Sequence, residues 1–241
     1  IKLQRLIYKA SKKYPNFMRK LLLSNVKRHV GDGVDMAHFS PSYMPWDGRL
    51  CAVPDADLFK DLRDGKASVV TDHIETFTEN GILLKSGREL EADIIITATG
   101  LNLQVLGGMQ LSLNGEPLDV SERMTYKGVL MEGVPNMAWV FGYTNASWTL
   151  KADIAAAYVC RLLNYLKENR LSVAMPRAEC AQPQQDHSIM DALGSGYVQR
   201  SSHLLPRQGQ GHPWRVTNHY AHDSHMLLEE PVEDGFLAFS R

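Results

Sequence analysis

Ala92-Asp93-Ile94-Ile95-Ile96-Thr97-Ala98-Thr99-Gly100 is the stretch on which the fold turns. Residues 92–97 form a near-continuous apolar run, the pattern of a strand buried on both faces of a parallel sheet. Glycine then ends it. Just upstream, His73–Thr78 alternates, Glu79-Asn80-Gly81 turns, and Ile82–Lys85 runs back. Asn-Gly between apolar runs is a strong hairpin signal. Ser86-Gly87 makes a second turn, and Ser68–Thr71 is a short β-branched run. A small β-meander therefore feeds a buried strand that stops at glycine.

Downstream, Asn114-Gly115 and Gly133-Val134-Pro135 mark turns in an irregular region, with a strand expected at Tyr126–Met131. Met137–Phe141 reads as a second short buried strand, closed by Gly142. Thr144-Asn145-Ala146-Ser147 is a polar loop, and Ser147 or Thr149 is placed to cap a helix running to about Asn169. Strand, glycine, polar loop and helix N-terminus together offer backbone N–H groups to an anionic or polar cofactor. The same arrangement also arises from packing alone, so by itself the signal is weak. The tail, 171–241, is rich in Pro, Gly, Gln and His. A loop is expected at Pro183–Asp186 and a helical turn at Ser188–Leu193, the whole packing over a larger body.

Upstream of the meander the chain is helical and basic. Residues 1–30 carry nine Lys or Arg and no Asp or Glu, with apolar residues at three- and four-residue steps. This predicts an amphipathic helix broken near Pro15. The charge fits a solvated face on a packed helix, a membrane-surface contact, or attraction of an anionic cofactor. Nucleic acid is not expected, since no zinc-finger spacing or RNA-binding aromatic signature accompanies the charge. His38–Arg49 is a proline- and aromatic-rich loop, and Asp55 is placed to cap a short helix after Pro54. Arg49 beside Trp46 suits an oxyanion or phosphate, while sequence alone favours an ordinary surface ion pair.

Composition sets the outer bounds. The 241 residues balance 26 basic against 27 acidic side chains, with 44 % hydrophobic and 22 % charged residues, as in ordinary globular proteins. No apolar window is long enough to span a bilayer. Three cysteines (Cys51, Cys160, Cys180) lie far apart, which favours a reducing, cytoplasmic setting. No signal peptide is legible, and a first residue of Ile points to a chain that begins partway through a longer protein. HExxH, P-loop and GxSxG motifs are absent. His219, His222 and His225 beside Asp223 would share a helix face. No thiolate or glutamate with zinc-type spacing joins them, so a polar face is expected and no metal site.

Three long strings add a resemblance: HFSPSYMPWDGRLCAVPDADLF from His38, VVTDHIETFTENGILLKSGRELEADIIITATGLNLQ from Val69, and VPNMAWVFGYTNASWTLKADIAAAYVCRLLNYL from Val134. With Ser195-Gly-Tyr-Val-Gln-Arg200 and Leu205-Pro-Arg-Gln208 in the tail, the chain resembles the C-terminal half of a flavin-dependent Baeyer–Villiger monooxygenase. The resemblance implies an α/β fold, part of a two-dinucleotide-binding-domain (Rossmann-like) flavoprotein with a β-meander and a loop-rich C-terminal tail. Residues 1–66 would end the NADPH-binding domain, 67–92 form the meander, 93–170 complete the FAD-binding domain, and 171–241 pack on the body. Reduced FAD would form a C4a-peroxide with O2 that attacks a ketone or oxidises sulfur. Arg49 matches the catalytic arginine. Thr99, Gly100, Tyr143, Thr144, Asn145, Ser147, Thr149 and Leu150 would approach FAD. A cytoplasmic protein is expected, with a peripheral membrane contact through residues 1–30 as an alternative. The pyrophosphate-binding GxGxxG, the NADPH motif and the acidic partner of the arginine are absent from these 241 residues. The chain alone is therefore expected neither to retain FAD nor to turn over. A non-catalytic remnant or membrane-binding module is the competing reading.

Overall fold

The computed structural model describes residues 2–47, 53–178, 183–190 and 194–241. The chain divides into two compact units, residues 1–101 and 102–241. It mixes α and β structure, and the sheets among the described residues are small, two- or three-stranded and antiparallel.

In the first unit the basic segment forms two helices, α1 (Lys2–Lys13) and α2 (Pro15–Val30). Pro15 takes the first position of α2, where its missing N–H costs nothing and its fixed φ suits the helix. Met18 and Val30 are buried. A short helix, α3 (Asp57–Arg63), packs on α2. Phe59 of α3 meets His29 and Phe39 at ring separations of 6.1 and 5.9 Å. Ala56, not Asp55, occupies the cap of α3, in the left-handed conformation, because Pro54–Ala56 forms its own 3-10 turn first.

The meander is present. β1 (Ile74–Phe77), β2 (Gly81–Leu84) and β3 (Glu89–Glu91) pair in that order. Gly81 is required by close approach: a Cβ there would sit 1.9 Å from the Leu90 carbonyl oxygen. The Ala92–Thr97 run, by contrast, forms no strand, and Ile94 and Ile96 are 81 % and 84 % exposed. A run apolar on both faces needs strand neighbours on both sides, and none is provided among the described residues. The Ser68–Thr71 run likewise joins no sheet.

In the second unit two tight hairpins precede the main helix. β4 (Leu111–Leu113) and β5 (Glu116–Leu118) turn at Asn114-Gly115, both at positive φ. β6 (Thr125–Tyr126) and β7 (Leu130–Met131) turn at Lys127-Gly128, again both positive. Positive φ at both central residues matches the twist of paired strands. The expected strand at Tyr126–Met131 is thus a hairpin. Met137–Phe141 is not a strand buried on both sides: Ala138 only bridges Leu130, Trp139 is buried, and Val140 is 49 % exposed.

α4 (Trp148–Glu168) carries the core. Ile154, Ala155, Tyr158, Leu162 and Leu166 fall at three- and four-residue steps and are buried. The tail wraps this helix. β8 (Val173–Pro176) pairs with β11 (Leu237–Ser240), and β9 (Pro183–Ser188) with β10 (Arg207–Gly209). The expected loop at Pro183–Asp186 is therefore a strand, recruited by a partner 19 to 26 residues further along the chain, which local composition does not announce. The helical turn expected at Ser188–Leu193 gives way to the end of β9 and a turn at Ile189–Met190, residues 191–193 lying outside the described residues. α5 (Gly196–Ser201) and α6 (Tyr220–Leu228) complete the unit, α6 packing along α4. Arg161 of α4 donates to the carbonyls of Leu227 and Glu230 at the end of α6. Below it the buried Lys127 ammonium lies 3.1 Å from Asp234 and 3.6 Å from Glu230, against the rings of Tyr126 and Tyr158.

Candidate functional site

The polar loop between Gly142 and α4 is built from inside. Gly142 permits its approach: a Cβ would lie 2.2 Å from the Trp148 ring. Tyr143 and Thr144 are buried, and Asn145 is partly buried. The Thr144 N–H donates to Asn218 Oδ1 at 3.3 Å, and Asn145 Nδ2 donates to the Asn218 carbonyl at 3.1 Å. The Tyr143 hydroxyl donates to Asp223 Oδ2 at 2.9 Å. The same oxygen receives Lys151 Nζ at 2.9 Å, and Asp223 Oδ1 receives Thr217 Oγ1 at 3.0 Å. Burial pushes the Tyr143 phenol pKa up, reinforced by the Asp223 charge, so this group is a proton donor rather than a phenolate. Burial also lowers the Lys151 pKa, with Asp223 opposing it.

Outward, the loop presents something different. Ser147, Trp148 and Thr149 are exposed and Leu150 half-buried. Ser147 occupies the N-cap of α4, as expected, but its hydroxyl lies 2.7 Å from Thr149 Oγ1 rather than capping the helix. The first turn of a 21-residue helix therefore presents backbone N–H groups without a side-chain cap, where helix polarity favours a partial negative charge.

The other expected site residues belong to the first unit. Thr99 and Gly100 are exposed at the end of the first unit, with Gly100 at φ +114°. Arg49 lies outside the described residues. The loop leading to it is anchored: Lys12 pairs with Asp47 at 3.1 Å and donates to the Trp46 carbonyl, while Arg19 donates to the carbonyls of Pro41 and Tyr43. Two of the nine basic residues of the N-terminal segment thus serve this loop. Trp46 stacks edge-on against Tyr8 at 5.4 Å.

Sequence reasoning missed Lys151, Thr217, Asn218 and the inward direction of Asp223. The only signal was Asp223 beside the three histidines. The three histidines are exposed: His219 caps α6 by accepting from the His222 N–H, His222 Nδ1 lies 3.6 Å from Asp223 Oδ1, and His225 lies 2.7 Å from Glu229. No group of three or more metal-ligating side chains is present among the described residues.

The chain matches FAD-containing monooxygenases along its whole length. It is 58 % identical over 242 residues to MymA of Mycobacterium tuberculosis, named an FAD-containing monooxygenase, covering 100 % of this chain and 48 % of that protein. It is 50 % identical over 241 residues to AlmA of Acinetobacter baylyi, named an FAD-binding monooxygenase, with 100 % and 48 % covered. With the FAD-containing monooxygenase EthA of Mycolicibacterium smegmatis it shares 48 % over 240 residues, with 97 % and 47 % covered. This chain is similar to their C-terminal half. It spans about half the length of the relatives it matches. No protein-family profile matches it.

Proposed function

We propose that this chain supplies the C-terminal half of an FAD- and NADPH-dependent monooxygenase. The enzyme inserts one oxygen atom of O2 into ketones or oxidises sulfur and thioamide substrates. The observation that carries the proposal is the end-to-end similarity to proteins named for FAD and monooxygenation, combined with the polar loop at the start of α4. The residues of that loop fit one edge of a flavin. Backbone N–H groups at Ser147–Thr149 suit the carbonyl edge of the ring, and Thr144 and Asn145 are held so that this edge keeps its shape. They do not fit the pyrophosphate, whose glycine-rich cradle is absent from these 241 residues. Bound flavin supplies the transfer of electrons from NADPH and the activation of O2.

The chain's own residues then have these roles. Tyr143, Thr144, Asn145, Ser147, Thr149 and Leu150 shape the flavin edge, and Thr99 and Gly100 let the backbone come close to the cofactor. Arg49, permanently charged, stabilises negative charge developing on oxygen. Residues 1–66 end an NADPH-binding domain, 67–92 connect, 93–170 complete a Rossmann-like FAD domain, and 171–241 brace it.

A specific observation also favours a membrane-surface contact through α1 and α2. Phe17 and Leu21 are exposed one turn apart on α2, with exposed Tyr14 at its N-cap, and exposed Lys13, Lys20 and Arg28 flank them. No helix among the described residues is long and apolar enough to cross a membrane, so the contact proposed is peripheral, on a cytoplasmic protein.

The test is isotopic. The protein joined to its N-terminal half is incubated with NADPH, a linear ketone and 18O2. The expected result is an ester carrying one labelled oxygen, formed in step with NADPH oxidation. NADPH oxidation with no labelled ester, sulfoxide or other oxygenated product across ketone and sulfide substrates would contradict it.

A further inference from the structure

Asp223 sits on α6, in the tail, 72 residues beyond Lys151 and 80 beyond Tyr143. It is 2 % exposed, and Lys151 is 4 % exposed. Both carboxylate oxygens are occupied. Oδ2 receives Tyr143 and Lys151, each at 2.9 Å, and Oδ1 receives Thr217 at 3.0 Å and lies 3.6 Å from His222 Nδ1. The Lys151 ammonium also lies 5.8 Å from the Tyr143 ring centroid. Tyr143 opens the polar loop and Lys151 closes the first turn of α4. One carboxylate therefore clamps the segment at both ends, while Asn218 grips its middle through Thr144 and Asn145.

A buried ion pair is a weak source of net stability, since desolvation offsets most of the attraction, and apolar residues of similar volume often serve a fold as well. What it does supply is direction: two hydrogen bonds to one oxygen fix where their donors lie. Here the fixed atoms are the two ends of a nine-residue segment whose middle, Ser147–Thr149, faces outward.

We propose that Asp223 is a positioning residue of the monooxygenase. From the C-terminal tail it sets, through Tyr143 and Lys151, the backbone of the loop that meets the flavin edge. This rests on the flavin reading above. It gives the tail a role in cofactor binding and makes the loop rigid before FAD arrives.

The test separates positioning from folding. The full protein, carrying its N-terminal half, is titrated with FAD by fluorescence quenching, and its melting temperature is measured in parallel. Asp223→Asn leaves Lys151 without its counter-charge and should weaken FAD binding roughly 10-fold or more through misplacement of the loop. The double variant Asp223→Leu with Lys151→Met removes the buried charges together. It should recover the melting temperature but not the FAD affinity. Tyr143→Phe keeps the ring and loses one anchor, so it should fold normally and bind FAD several-fold more weakly. A double variant or a Tyr143→Phe variant binding FAD as tightly as wild type overturns the proposal and leaves Asp223 a folding residue. A wild-type full protein that binds no FAD refutes the flavin reading itself, and this inference falls with it.

Discussion

Two kinds of charge act at the residue scale, and they act oppositely. Lys127 and Lys151 are buried against carboxylates, where removing one partner typically costs about 3–5 kcal/mol because the other charge is stranded. Arg49 belongs to the chemistry proposed here, and its effect should appear in rate rather than in stability. Hydride transfer from NADPH depends on cofactor positioning spread over many contacts. Transfer of oxygen concentrates negative charge on one atom, which a permanently charged guanidinium is suited to stabilise. Arg49→Ala in the full enzyme should therefore lower oxygenation by about 10²–10³ while flavin reduction by NADPH changes little. Arg49→Lys should rescue poorly, since a point charge on a flexible stem does not reproduce a two-pronged contact. Stopped-flow bleaching of the flavin, followed by product formation on a ketone, separates the two steps. Oxygenation at a near wild-type rate in Arg49→Ala would return Arg49 to a surface role.

At the element scale, local patterns proved legible where the structure they specify is local. Asn80-Gly81 gave the first turn of the meander, Pro15 the break between α1 and α2, Asn114-Gly115 a hairpin, and Ser147 the start of α4. Pairings made at a distance were not legible. β9 is polar and proline-bearing, and it becomes a strand only because β10 lies beside it. Ala92–Thr97 fails in the opposite sense: its composition demands neighbours on both sides, and without them it stays exposed. The clamp on the polar loop escaped notice for the same reason, since Asp223 is far in sequence from both its anchors. The exposed apolar row of Tyr14, at the N-cap of α2, with Phe17 and Leu21 carries its own prediction. The protein should sediment with vesicles containing anionic phosphatidylglycerol, less with neutral vesicles, and less as salt screens the lysines. Phe17→Ser with Leu21→Ser should abolish the binding. Equal sedimentation of this variant would mean that the apolar row does not enter the interface.

For the whole molecule, the second unit is tied together by buried phenols. Tyr126, Tyr143 and Tyr158 all have pKa values raised above the ordinary tyrosine range, chiefly by burial. Each keeps its proton in the folded state at a pH where the unfolded chain releases it. Their contribution is therefore complete below about pH 10 and is lost as pH rises beyond it. An alkaline titration followed by tyrosinate absorbance and circular dichroism should show these phenols ionising only as the fold is lost. Reversible ionisation of all nine tyrosines near pH 10 with an unchanged dichroism spectrum would contradict their burial.

The central claim is that flavin binding is divided between this chain and the half that its relatives carry upstream. The most direct measurement is the flavin absorbance of purified protein in two forms. One is the 241-residue chain alone. The other is the same chain joined to the N-terminal half of MymA, its 58 % identical relative. The polar loop offers only the ring edge a surface, so the chain alone should be colourless, and the joined protein should carry FAD one-to-one, with its oxidised band near 450 nm. Stoichiometric yellow colour in the chain alone, or a folded joined protein without flavin, would contradict the account.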